Sequence, residues 1–254
     1  MALPHGEIIW ITGASSGIGL ELAKKLAALG NQVLVTARNA QVLEALAAES
    51  DQIIAVPADL AQPDCIDSLQ HQLRQHVSYL DRIILNAGTC EYLDINAPDW
   101  LMMERVMEVN FYGAVRSLAA ALPLLESNAD AARHVVAVGS QASRVIFPRA
   151  EAYGASKAAL TYFMEALAVD LAAQNIKVTV VQPGFVETPL TSKNDFPMPF
   201  LVPVNEAVDH IVKRLASKPA FIRFPLAMNW VLGVGSLLPG LWRRWVAPQL
   251  TRST

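Results

Sequence analysis

The chain has 254 residues, of which 53% are hydrophobic and 17% charged, and its net charge is −3. That length suits one sizeable core, and the slightly acidic balance offers nothing electrostatic to a nucleic acid. The two cysteines, Cys65 and Cys90, lack a second thiol or a histidine cluster at metal-like spacing. No metal site is expected, and both read as reduced thiols of a cytoplasmic protein.

Met1 to Glu7 is short and polar, unlike a secretory signal peptide. The β-branched run Ile8–Thr12 predicts the first strand. It leads into Gly13-Ala14-Ser15-Ser16-Gly17-Ile18-Gly19 and a helical pattern over Gly17–Leu29. Glycines between a strand and a helix let the backbone turn tightly and approach a pyrophosphate, whose charge sits well at a helix N-terminus. The run lacks the Gly-Lys-Ser/Thr of a P-loop, which argues against an ATPase.

A second strand, Gln32–Ala37, ends at Arg38, where an NAD-selective site usually places an acid for the ribose 2′-hydroxyl. The next acid, Glu44, falls on the following helix, Ala40–Glu49. Arg38 would instead meet a 2′-phosphate, a contact of about 1.5–3 kcal/mol, so NADP(H) is preferred over NAD(H). Strands then alternate with helices: Ile53–Val56, Ala61–His76, Arg82–Asn86, Pro98–Leu125, His134–Ser140, Glu151–Gln174, Lys177–Gln182, Asn205–Ser217 and Phe221–Arg223. Nearly all the strands are continuously apolar, as expected when helices cover both faces of a parallel sheet. The fold expected over residues 1–254 is therefore one doubly wound α/β Rossmann domain with a sheet of about seven strands.

Tyr153 and Lys157 are separated by one helical turn, and Ser140 stands thirteen residues before the tyrosine. A phenol beside an ammonium group can exchange a proton near neutrality, whereas a free tyrosine, at about pKa 10, mostly cannot. The shift needed is roughly 2–3 units, and one nearby cation supplies roughly 1–3. The spacing therefore predicts that Lys157 lowers the tyrosine pKa.

With the glycine turn, these residues resemble the short-chain dehydrogenase/reductase family in its compact single-domain form, over about residues 7 to 190. Asp59 and Leu60 match the segment after strand three, whose aspartate holds the adenine ring in that family. Asn86-Ala87-Gly88 matches the motif that closes the cofactor cleft. Asn110, Ser140, Tyr153 and Lys157 match its catalytic tetrad, and Pro183-Gly184, Val186 and Thr188 match the segment under the nicotinamide. The resemblance implies hydride transfer between NADP(H) and a carbonyl or alcohol. Tyr153 would be the acid/base, and Ser140 a second hydrogen-bond donor to the substrate oxygen. Lys157 would bind the ribose and Asn110 would hold a water. It also implies a homodimer or homotetramer formed through the helices over Pro98–Leu125 and Glu151–Gln174. The alternative reading is a sensor or scaffold that binds NADP(H) without turnover, and the intact tetrad argues against it.

The segment 185–204 is expected to form a lid over the substrate. Gln141, Phe147 and Phe185 are the candidate pocket residues beside Ser140 and Tyr153. An apolar lid points to a small, apolar carbonyl substrate. The tail over 224–254 is rich in Leu, Val and Trp, with Arg243 and Arg244 between two tryptophans. It reads either as packing against protein or as a peripheral contact with a membrane surface. No apolar stretch reaches the roughly 20 residues that span a bilayer.

Overall fold

The computed structural model describes residues 3–127 and 133–250. Its first half contains β1 (Ile8–Thr12), α1 (Gly17–Ala28), β2 (Gln32–Thr36), α2 (Ala40–Ala48), β3 (Ile53–Ala55) and α3 (Cys65–His76). Then come β4 (Arg82–Leu85), α4 (Met102–Met107), α5 (Gly113–Glu126), β5 (Arg133–Val138) and α6 (Glu151–Asp170). β6 (Ile176–Pro183), α7 (Val204–Leu215), β7 (Phe221–Phe224) and α8 (Leu226–Leu237) complete the alternation. The seven strands lie in the order β3-β2-β1-β4-β5-β6-β7, and every neighbouring pair is parallel. The winding reverses between β1 and β4, so a crevice opens at the carboxyl ends of these strands.

Strand alternation divides the core between the two faces of the sheet. Ile9 and Ile11 of β1 pack with Leu22 and Leu26 of α1 and with Ile211 of α7. Trp10, between them in sequence, points the other way, toward the layer of Leu69, Leu124 and Met164 from α3, α5 and α6. Its ring N–H donates to the buried Thr36 hydroxyl at 2.8 Å, which satisfies the one polar group of this large side chain.

Three elements depart from the periodicity. The helix expected over Ala61–His76 begins only at Cys65. The Asp59 carboxylate first holds a turn, accepting from Ala61 N at 3.1 Å and Gln62 Nε2 at 2.9 Å. The helix expected over Pro98–Leu125 begins at Met102 and contains a π-helical turn, Glu108–Tyr112, between α4 and α5. No glycine or proline within Glu108–Tyr112 marks the turn in the sequence. The tail forms α8 and then short helical turns over 239–250, parted at Leu238 and Pro239. It is anchored by Trp242, which lies over Gly235 and donates from its ring N–H to Ile146 O at 2.9 Å.

A polar network crosses the opposite end of the sheet. Arg82, only 1% exposed, donates from Nε and Nη2 to the two carboxylate oxygens of Glu7, both at 2.9 Å. Its Nη1 meets His134 Nδ1. The other ring nitrogen of His134 bonds Thr179 Oγ1 at 2.7 Å, and that hydroxyl donates on to Pro219 O. Burial and the Arg82 charge hold His134 well below the usual histidine range, so the ring is neutral.

Candidate active site

The crevice is shaped by a lock between β1 and β4. Thr12 Oγ1 accepts from Asn86 N at 3.1 Å and Ala87 N at 3.2 Å. The Asn86 amide donates back to Thr12 O and Gly13 O, both at 3.1 Å. Gly13 has φ +70°, and a side chain there would stand 2.6 Å from the Ala87 backbone, so only glycine fits. The resulting cleft has a volume of about 580 Å³. Gly13, Ser15, Ser16, Gly17 and Ile18 form its floor, where the N-terminus of α1 opens into it. Asn86, Ala87 and Gly88 form one wall, and Pro183, Gly184, Val186 and Thr188 face them. Gly19, expected in the same group, lies behind the cleft surface. It is buried with its Cα against Gly13 O and the Asn86 amide, so it sets helix-to-strand packing and does not line the cleft.

Arg38, Asp59 and Leu60 line the far end of the cleft. Arg38 is exposed, and its charge lies near enough to Asp59 to act on it. The hydrogen bond from Gln62 is the largest of the effects that hold the Asp59 carboxyl below the usual carboxylate range. Both Asp59 oxygens already serve their own turn. Any adenine contact would share the carboxylate with that turn.

Ser140, Tyr153 and Lys157 converge at the carboxyl ends of β5 and β6. Ser140 caps a short turn and accepts from Ala142 N at 3.1 Å. Tyr153 and Lys157 share a face of α6, and Lys157 Nζ donates to Val138 O at 2.9 Å, 5.8 Å from the tyrosine ring centre. The expected electrostatics are not what the structure gives. Burial pushes the Tyr153 phenol up to about 12, against an opposing hydrogen bond from Ser140. Burial likewise brings the Lys157 ammonium down to about 8, because desolvation disfavours its charged form. Spacing along the helix predicts that the two groups are close, but not that burial acts on both.

Asn110 also differs from expectation. It is the buried residue of the π-helical turn and lines neither cavity. Its Oδ1 accepts from Thr89 N at 2.7 Å, and its amide donates to Thr89 O and Ser156 Oγ, both at 2.9 Å. Ser156 in turn donates to Tyr153 O at 2.8 Å. With both amide donors taken, one acceptor lone pair is left for water. In this structure the side chain ties the loop after β4 to the turn of α6 that carries Tyr153.

A second cavity of about 540 Å³ adjoins the cleft, and the two share Tyr153, Pro183, Gly184, Leu190 and Thr191. Ser140, Gln141, Phe147 and Phe185 line it, as do Phe196, Met198 and Phe200 of the segment 185–204. Gln141 is fully buried, donates to Phe224 O at 2.8 Å, and keeps its Oε1 without a partner. Several lining residues were not anticipated. Cys90 and Tyr92 come from the loop after the Asn-Ala-Gly run, and their position just beyond β4 was the available signal. Tyr92 donates to Asn194 Oδ1 at 2.8 Å and so fastens that loop to the segment 185–204. Burial pushes the Cys90 thiol up. Met228, Leu232 and Trp242 of the tail close the far wall. Among the described residues, no group of histidine, cysteine and acidic side chains could hold a metal ion.

A family model described as short chain dehydrogenase matches residues 7–197. An uncharacterized oxidoreductase of Myxococcus xanthus is 34% identical over 233 residues, 90% of this chain and 91% of that protein. A fatty acyl-CoA reductase of Acinetobacter baylyi is 33% identical over 223 residues, 84% of this chain and 74% of its own. Among solved structures, the active-site complex of Pseudomonas aeruginosa RhlG with NADP is 32% identical with a TM-score of 0.69. That match covers 74% of this chain and 76% of the other.

Proposed function

The chain belongs to the short chain dehydrogenase family, and from that premise we propose that it is an NADP(H)-dependent oxidoreductase acting on an apolar carbonyl or alcohol. The observation that carries this reading is the position of Tyr153 where a glycine-floored cleft meets an apolar cavity. A phenol there can reach a substrate oxygen in one cavity and a dinucleotide in the other. The cleft suits a dinucleotide, with backbone and a helix N-terminus at its floor and a cation at its far end. Arg38 is the group for a 2′-phosphate. NADP in the RhlG complex and the substrate in the name of the acyl-CoA reductase favour the same cofactor and an apolar substrate class.

Bound NADPH supplies the hydride, and the protein's own groups handle the proton and the charge. Tyr153 donates its proton to the substrate oxygen as negative charge develops there. Ser140 gives that oxygen a second hydrogen bond. Lys157 binds the ribose hydroxyls. An ammonium near pKa 8 is poised to return a proton to the phenolate at working pH. The segment 185–204 and the tail exclude water from the apolar side, and Asn110 positions the turn that carries Tyr153.

Fluorescence titration with NADPH and NADH, followed by NADPH oxidation against a panel of ketones and aldehydes, tests the proposal. NADPH should bind more tightly, and Arg38→Ala should weaken NADPH by roughly 10- to 100-fold while leaving NADH unchanged. A folded protein that binds neither nucleotide would overturn the reading.

A further inference from the structure

Helix α8 is apolar on both of its faces. Met228, Leu232 and Gly235 pack inward. Leu226, Trp230, Val234 and Leu237, spaced four, four and three residues apart, form a stripe on the outward face. These side chains are 69%, 74%, 54% and 81% exposed. A helix that is apolar all round is normally buried. Leu241 and Trp245 extend the bare surface along the turns that follow, at 55% and 60% exposed. So contiguous an exposed apolar patch marks an interaction site.

Two further observations identify the occupant. The first is charge. Between Phe224 and Leu250 there is no Asp or Glu, although the whole chain is net negative. The exposed cations of that stretch, Arg243 and Arg244, sit beside Trp245. Tryptophan and arginine flanking an apolar helix face suit the boundary between lipid headgroups and acyl chains, where anionic lipid adds attraction. The second is continuity with the cavity. Val231 and Val246 line the apolar cavity and are also 51% and 38% exposed on this same surface. Phe200, 50% exposed, brings the segment 185–204 to the same rim. The cavity that ends at Tyr153 therefore opens among the bare side chains of the tail. No helix among the described residues is long and apolar enough to cross a membrane, so the contact is with one surface of the bilayer.

We propose that the outward face of α8 and the turns after it seat in the headgroup–acyl boundary of an anionic bilayer, with the cavity mouth facing the lipid. An apolar substrate then passes from the membrane to Tyr153 without crossing water. This second step rests on the reductase reading; the docking itself does not.

Vesicle flotation separates the two. The full chain is mixed with phosphatidylcholine vesicles, or with vesicles in which phosphatidylglycerol replaces part of that lipid, without nucleotide or substrate. The expected result is flotation with the anionic vesicles, weakened by salt. The variant Trp230→Ser/Leu237→Ser/Trp245→Ser alters none of the cavity-lining residues. It should lower partitioning by roughly tenfold or more. Arg243→Gln and Arg244→Gln should each lower it about fivefold. Unfolding midpoints close to that of the unaltered protein would show that the variants fold. Folded protein that stays out of both kinds of vesicle overturns the proposal, even if it reduces carbonyls. So does a dimer or tetramer in solution that covers this face, falls apart in the triple variant and does not float. Flotation without any carbonyl turnover keeps the docking and removes the reductase reading.

Discussion

The protein buries a cation at each end of its sheet, and the two are held in opposite ways. At the amino ends of the strands, Arg82 is 1% exposed and grips the Glu7 carboxylate through two parallel N–H···O bonds. At the carboxyl ends, Lys157 is 4% exposed and donates to a neutral partner, Val138 O. Among the described residues, no carboxylate pairs with it. Burial lowers the Arg82 guanidinium too, but the Glu7 carboxylate opposes it, and an arginine with a bidentate counter-ion keeps its proton. A buried ammonium without one is brought to about 8 and can release its proton. One burial produces a fixed tie between β1 and β4; the other produces a proton donor and acceptor beside Tyr153.

The strongest way to break this comparison is at the end that carries Tyr153. Tyr153→Phe removes the hydroxyl at the junction of the two cavities and leaves the cleft walls in place. Turnover should fall by about 10³-fold or more, the upper part of the range for a positioned general acid, while NADPH titration remains within about twofold. A phenylalanine variant that turns over normally would remove Tyr153 as the acid.

The opposite end should respond in stability and not in rate. Arg82→Met leaves the Glu7 carboxylate without its partner and His134 Nδ1 without its donor. Removing one member of a buried pair costs roughly 3–5 kcal/mol. Glu7 is 24% exposed on its side chain, so water reaches it and the lower part of that range is expected. Urea unfolding should show the loss, and kcat measured below the unfolding transition should be unchanged. Equal losses of rate and stability would mean that the two ends are coupled and that the division of roles is wrong.

The end that carries Tyr153 was far more legible in the sequence than its counterpart. The glycine turn, Asn86 and the Tyr153–Lys157 pair lie in short segments whose spacing carries their meaning. The parallel order of the sheet follows from continuously apolar strands separated by helices. Glu7 and Arg82 are 75 residues apart in sequence and become neighbours only when β4 enters the sheet beside β1. Nothing local marks either as buried. The π-helical turn at Asn110 was hidden for a different reason, since no glycine or proline within Glu108–Tyr112 marks it. The tail showed its composition in sequence. Its role as a cavity wall depends on Trp242 reaching Ile146, a contact 96 residues apart in sequence. The largest misreading was electrostatic. Helical spacing placed a cation near the phenol, but burial determined the direction in which both groups moved.

The smallest of the expected effects follows from the direction in which burial moves Lys157. In the unfolded chain a lysine keeps its proton up to about pH 10.5, whereas Lys157 in the cofactor-free fold gives it up near 8. Below pH 8 both states are protonated, and the fold carries the full cost of the buried ammonium. Between about 8 and 10.5 the unfolded state holds more protons, so stability must rise with pH. The slope from this one group is at most about 1.4 kcal/mol per pH unit. Lys157→Met also loses the bond to Val138 O, and it removes the charge that lowers the Cys90 thiol, which adds to the difference in the same direction at the alkaline end. Subtracting its urea-unfolding curve from that of the unaltered protein, from pH 7 to 10, should leave a positive slope that sets in near pH 8. Arg82→Met cannot serve as a flat reference here, because the Arg82 charge also lowers the nearby Lys218 ammonium, and losing it changes that group's titration. If the Lys157 difference is flat, the ammonium is not desolvated, and the account of Lys157 as the exchangeable cation fails while the Arg82–Glu7 tie stands.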